Sequence, residues 1–149
     1  MEKNIVKIAE TDLEIEGCFD VMSELRTELK RNEFLQTVRA MESDGFRLAY
    51  MKDEGEVVVV AGYRIYTNLL MGSNLYIDDL VTSASARSRG FGEIMLKWLR
   101  EKAREAGCRF FRLDSGTTRD QAHKFYFNQG FTIAAFAFCE LLHESSTAS

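Results

Sequence analysis

Leu80-Val81-Thr82-Ser83-Ala84-Ser85-Ala86-Arg87-Ser88-Arg89-Gly90-Phe91-Gly92 is the stretch on which the reading of this 149-residue chain turns. It leaves an apolar strand, crosses a short loop of small residues and enters a helix. The helix is strongly marked. Phe91, Ile94, Met95, Trp98, Leu99, Ala103 and Ala106 repeat at helical spacing, and Gly107 stands where a C′ glycine belongs. Trp98, Met95 and Leu99 lie on the apolar stripe and are expected in the core. Gly90 and Gly92, two apart at the helix start, let the backbone come close to a ligand. The first-turn N–H groups have no partner inside the helix, and the positive end of its dipole lies behind them. Arg87 and Arg89 flank the same spot, so the stretch reads as a cradle for a diphosphate. The dinucleotide fingerprint fails because Met95 stands where a third glycine is required, and the Gly-Lys-Ser/Thr of a Walker loop is absent.

Working outward, residues 75–81 form the strand before the loop and residues 108–113 the strand after the helix. Thr118 and Gln121 are spaced as a capping box that opens a helix to Phe127, ended by Gly130. Residues 133–142 read as a last strand, and the polar tail after His143 as frayed. On the N-terminal side, residues 5–9 suggest a first strand. A helix follows from Asp12, with Leu13, Cys18, Val21, Met22 and Leu25 on one face. A second helix, about residues 33–41, carries Phe34, Leu35, Val38 and Met41 and is stopped by Asp44-Gly45. Residues 46–51 and 57–66 are strands joined through Asp53-Glu54-Gly55. The unbroken run Val57-Val58-Val59-Val60-Ala61 predicts a strand covered on both faces. Residues 68–74 read as a loop.

The composition is 46% hydrophobic and 28% charged, which is globular, and the length suits one domain over residues 1–149. A net charge of −4 gives no electrostatic support for a duplex nucleic acid partner. No apolar run is long enough to span a bilayer, and residues 1–12 mix charges with apolar residues, so the expectation is a cytoplasmic protein without a membrane partner. Cys18, Cys108 and Cys139 are scattered and lack metal-ligand spacing, so buried free thiols are expected and no metal.

Two motifs carry a family resemblance. Arg87-Ser88-Arg89-Gly90-Phe91-Gly92 fits Arg/Gln-x-x-Gly-x-Gly/Ala, and Ala122-His123-Lys124-Phe125-Tyr126-Phe127-Asn128-Gln129-Gly130-Phe131 fits Ala-x-x-Phe-Tyr-x-x-x-Gly-Phe. With both in order, the chain resembles the GNAT superfamily, in particular a branch of small single-domain members. The resemblance covers residues 75–131 well and the N-terminal part in element order only.

It implies an α/β fold: a central, mostly antiparallel mixed sheet with one splayed parallel strand pair and flanking helices. It also implies acetyl-CoA as co-substrate, with its diphosphate on Arg87, Ser88, Arg89, Gly90, Phe91 and Gly92. Backbone N–H groups near Leu80 and Val81 would meet the oxyanion and hold the pantetheine arm. Arg119 stands where the family often has an Asn that contacts the cofactor, so a phosphate contact by Arg replaces it. Tyr126 matches the general acid for the departing thiolate, and Asp78 the acid that draws the amine's proton, with Asp79 beside it as the other candidate.

His123, one turn before Tyr126, is either a second base or a surface histidine. The implied reaction is direct acetyl transfer to a primary amine of a small molecule or peptide. Glu54, Glu56, Asp78 and Asp79 are acids that would attract a cation. Another acyl donor, a hydroxyl acceptor, or a non-catalytic coenzyme A sensor would use the same scaffold. Residues 131–142 are either the edge of a homodimer, the expected assembly, or a covered core strand.

Overall fold

The computed structural model describes residues 5–144. The chain divides into two compact units, Met1–Leu113 and Asp114–Ser149.

The first unit is built on one five-stranded sheet in the order β1-β2-β3-β4-β5: β1 (Val6–Ile8), β2 (Arg47–Asp53), β3 (Glu56–Asn68), β4 (Gly72–Thr82) and β5 (Phe110–Leu113). The first four strands pair antiparallel and β5 joins β4 in parallel, so the sheet is mixed, as expected. Glu54 and Gly55 both have positive φ, at 51° and 84°, and close the β2–β3 hairpin in two residues with the twist such hairpins favour. Leu48, Tyr50 and Val60 pack into a core with Ile15, Phe19, Phe34 and Val38 from the N-terminal helices. Ala49, Met51, Val59 and Ala61, on the alternate positions, are equally buried. The Val57–Ala61 run is therefore covered on both faces.

Three helices precede β2: α1 (Asp12–Gly17), α2 (Phe19–Leu25) and α3 (Arg31–Glu42). The single helix expected from Asp12 is thus two. Cys18 ends one and opens the next, its N–H tightening back onto the Ile15 carbonyl at 3.0 Å after Gly17, a poor helix former. The expected loop 68–74 shrinks to three residues, because the Asn68 side chain accepts from the Met71 N–H at 2.7 Å and turns the chain at once. Between β4 and β5 runs α4 (Phe91–Glu105), which packs on β3, β4 and β5. It ends as predicted: Gly107 has φ 74°, its N–H reaches the Arg104 carbonyl and that of Cys108 the Ala103 carbonyl.

In the second unit, α5 (Asp120–Asn128) is the one helix among the described residues. Its expected capping box is not formed. The N-cap is Arg119, and Thr118 offers its carbonyl, not its hydroxyl, to the Asp120 N–H. The strand expected over residues 133–142 is also absent, and Ile133, Phe136, Phe138, Leu141 and Leu142 are exposed. Apolar composition gives a segment strand propensity, but a strand exists only through a ladder partner. Of the thiols expected to be buried, only Cys18 is; Cys108 is half-buried and Cys139 exposed. Burial pushes the Cys18 thiol up to about 12, which makes it inert. No helix among the described residues is long and apolar enough to cross a membrane, and no cluster of metal-ligating side chains occurs among them.

Candidate active site

The β4–β5 ladder pairs Asn74, Leu75, Tyr76 and Ile77 with Phe110 to Leu113 and then stops, while β4 runs on to Thr82. β5 ends at Leu113, opposite Ile77, so beyond that point β4 has no ladder on that side among the described residues. Leu80 and Val81 lie on this stretch and pair to β3 through Ala61 and Val60. A short 3-10 turn (Ala84–Ala86) then leads into the loop before α4.

Gly90 is the N-cap of α4 in left-handed conformation, φ 85°, and offers no capping side chain. A Cβ built on it would meet nothing within 4 Å. Ser88 also has positive φ, 65°, so the loop turns through two left-handed residues, Ser88 and Gly90. Phe91 is buried and anchors the helix start. Arg89 lies over the Phe91 ring at 4.8 Å and donates to Asp53 at 2.8 Å, while Arg87 stands 3.9 Å from Glu24. The loop therefore presents a helix N-terminus, open space and two solvent-accessible cations.

The acids of β4 are arranged differently from a period-two reading, in which Asp78 and Asp79 face opposite sides. A β-bulge intervenes: Gly62 pairs with Asp79 and Tyr63 with Ile77, so Asp78 is the extra residue. Both side chains gather near the Phe46 ring. Asp78 takes a bidentate contact from Arg64, Nε to Oδ1 at 3.1 Å and Nη2 to Oδ2 at 2.8 Å, with that guanidinium 5.6 Å from the Phe46 ring centre. Asp79 lies over Gly62, where a Cβ would come within 2.5 Å of both its Oδ2 and the Phe46 ring. Burial raises the Asp79 pKa above the usual carboxylate value, against the lowering effect of Arg26, whose Nε donates to Oδ1 at 2.7 Å. Arg26, Gly62 and Arg64 were not singled out by sequence reasoning. Arg26 lies 53 residues from Asp79, and no local pattern marks such a pair.

A cavity of about 100 Å³ opens beside Asp79 and Arg26. A wider surface hollow of about 360 Å³ lies over α3, lined by Gln36, Thr37, Ala40, Met41 and Asp44, and brings together no pair of chemically active groups.

In the second unit, α5 carries Tyr126, with ring centres of Phe125 and Phe131 at 5.5 and 5.8 Å. Burial raises its phenol pKa, and Arg119 lowers it. His123 Nε2 lies 2.7 Å from the Gly116 carbonyl and donates to it, a bond that ties down the loop before α5 and leaves that nitrogen no role as a base.

Residues 10–131 match the Acetyltransferase (GNAT) family. This chain belongs to the GNAT acetyltransferase family. It is therefore an acetyltransferase, built on the mixed sheet with flanking helices that the motifs implied. The GNAT chain is 36% identical over 122 residues to the uncharacterized N-acetyltransferase YhdJ of Bacillus subtilis, covering 80% of this chain and 86% of that one. Among solved structures, a transcriptional regulator from Bacillus halodurans C-125 superposes with a TM-score of 0.81 at 20% identity, over 93% of this chain and all of the other. Aminoglycoside N-acetyltransferase AAC(6')-Iy, solved in complex with CoA, superposes with a TM-score of 0.79 at 14% identity, over 93% of this chain and 95% of that one.

Proposed function

We propose that this GNAT protein transfers an acetyl group from acetyl-CoA to a primary amine of a small molecule or peptide, by direct attack with both substrates bound. One observation carries the reading: the left-handed Gly90 opens α4 onto free space, soon after the part of β4 that runs past the end of the β5 ladder. Acetyl-CoA supplies the thioester. Backbone N–H groups of the 87–92 loop and the guanidiniums of Arg87 and Arg89 are suited to its diphosphate, because the orphan donors and the helix dipole favour an anion there. The unladdered edge of β4 at Leu80 and Val81 offers strand-like pairing to an extended arm and donors for an oxyanion. Arg119, at the N-cap of α5, is a further cation for a phosphate.

The amine must lose a proton first. A primary ammonium with a pKa near ~10.4 is under about 0.1% neutral at pH 7, so a carboxylate that accepts the proton is needed. Asp78 and Asp79 are the two available on β4, and Asp78 acts only by loosening its bidentate hold on Arg64 or through a water. Tyr126, in the second unit, is the hydrogen-bond donor for the departing sulfur. Its raised pKa keeps the phenol protonated at neutral pH. A phenol near ~10 is a weaker acid than a thiol near ~8.5, so donating a hydrogen bond is a larger part of its role than complete transfer. Tyr126→Phe is expected to lower turnover by about 10- to 1000-fold with acetyl-CoA affinity little changed. The exposed Ile133, Phe136 and Phe138 favour the homodimer, which light scattering checks.

Isothermal titration with acetyl-CoA, followed by thiol release against a panel of amines, tests the whole reading. Binding with release for some amine supports it. Absence of binding removes the diphosphate cradle and the function with it.

A further inference from the structure

Arg26 spans the bulge of β4 with one guanidinium. Its Nε donates to Asp79 Oδ1 and its Nη2 to the Asp78 carbonyl, each at 2.7 Å, so it fixes a carboxylate and the backbone beside it together. The other carboxylate oxygen, Oδ2, sits in the space that Gly62 leaves by having no Cβ. The cavity of about 100 Å³ has Asp79 and Arg26 in its wall, and Met22, Leu29, Phe34, Val38 and Met41 supply most of the rest. Asp78 does not line it, and both Asp78 oxygens are engaged by Arg64.

Building on the amine acetyltransferase reading, we propose that Asp79 receives the acceptor's ammonium at this cavity and takes its proton, with Arg26 as its positioning residue and the apolar walls selecting amines on an alkyl or arylalkyl body. Three physical points support this. Protonating Asp78 means breaking two charge-assisted hydrogen bonds at once, whereas Asp79 gives Arg26 only one oxygen. Burial lifts the Asp79 pKa, which narrows the gap to an ammonium; the charges acting on it are Arg26, Arg64 and Asp78, and Asp44 acts on Arg64. An apolar wall favours hydrocarbon over a polycation, whose further charges would be desolvated without partners.

The step balances. Asp79 takes one proton from the ammonium. The amine nitrogen bonds to the thioester carbonyl carbon, the carbon–sulfur bond breaks, and the second proton from nitrogen goes to the sulfur to give the thiol. Asp79 then returns its proton to solvent.

The test is kcat/KM against pH, from about pH 5 to 10, with acetyl-CoA and butylamine, phenethylamine or spermidine as acceptors. Wild type should prefer the first two. Asp79→Asn should lose about 100-fold or more near pH 7 and recover as pH rises towards the amine's own pKa, because only neutral amine then reacts. Arg26→Ala should move the acid limb to higher pH, since the group that lowers the Asp79 pKa is gone, and Arg26→Lys should restore most of that shift. Asp78→Asn should lose less, and its acid limb should move to lower pH, opposite to Arg26→Ala, because the Asp78 charge that raises the Asp79 pKa is gone.

Thermal melts report folding. Arg26 is half-exposed, so its variants serve if the Asp79 variant does not fold. A wild-type profile in Asp79→Asn, an unmoved acid limb in Arg26→Ala, or no turnover of butylamine and phenethylamine overturns the proposal. Acetyl-CoA titration on the same samples separates that failure from failure of the acetyltransferase reading.

Discussion

The loop at 87–92 and the bulge at 78–79 each set two like charges beside a distortion of the backbone, and they treat those charges in opposite ways. In the loop, the Arg87 and Arg89 side chains are 62% and 54% exposed. Their partners, Glu24 and Asp53, are themselves 32% and 15% exposed, but with the guanidiniums more than half in solvent such pairs are worth only about 0–1 kcal/mol. In the bulge, Asp78 and Asp79 are 20% and 13% exposed, and each has its own arginine. The loop is made of backbone with cations to spare; the bulge is made by packing, with every charge accounted for. On the proposed function, a site for an anion and a site that handles a proton would need these two different electrostatic states.

The largest effect should come from filling the space under the bulge. Gly62→Ala places a Cβ 2.5 Å from both Asp79 Oδ2 and the buried Phe46 ring, so either the acid or the ring must move. A loss of about 1–3 kcal/mol in urea unfolding is expected, together with a fall in turnover. Unchanged stability and turnover would show that the close fit of Asp79 over Gly62 has no consequence.

A smaller effect belongs to the loop. Gly90→Ala meets no steric neighbour, so its penalty is the left-handed φ alone, about 1–2 kcal/mol, and acetyl-CoA affinity should fall as the loop relaxes. A bulky residue at Gly92 should weaken acetyl-CoA binding without that strain, by entering the ligand's space, and titration of the two variants separates the causes. The smallest effect is Arg89→Ala. Stability should hold within about 1 kcal/mol, and affinity should drop about tenfold, the worth of one charge-assisted hydrogen bond. An affinity loss at Arg89 as large as the one at Gly92 would reverse the ordering and make the cations, not the backbone, the main anion site.

Much of this was legible in the sequence because it is written locally. The α4 stripe, the C′ glycine at Gly107, the turn through Asp53-Glu54-Gly55 and the glycines of the loop each depend on residues within a few positions of one another. The readings that failed needed information from elsewhere. Thr118 has the right residue three positions before Gln121, yet its carbonyl is used and its hydroxyl is not. Residues 131–142 are as apolar as Val57–Ala61, but one run has strands on both sides and the other has no ladder among the described residues. A regular strand would set Asp78 and Asp79 on opposite faces, and the bulge opposite Gly62 and Tyr63 changes that.

By itself the sequence determined most of the element types, the glycine turn at the start of α4, and the family to which the chain belongs. Those features are properties of short stretches of backbone, set by glycine, helix ends and periodicity. Only the tertiary structure decided how the two carboxylates are held, Asp78 through both oxygens and Asp79 through one. Arg26 and Arg64 reach β4 from α2 and β3, and Gly62 makes room for Asp79 from a neighbouring strand. Desolvation and ion pairing act through space, over distances that sequence separation does not record.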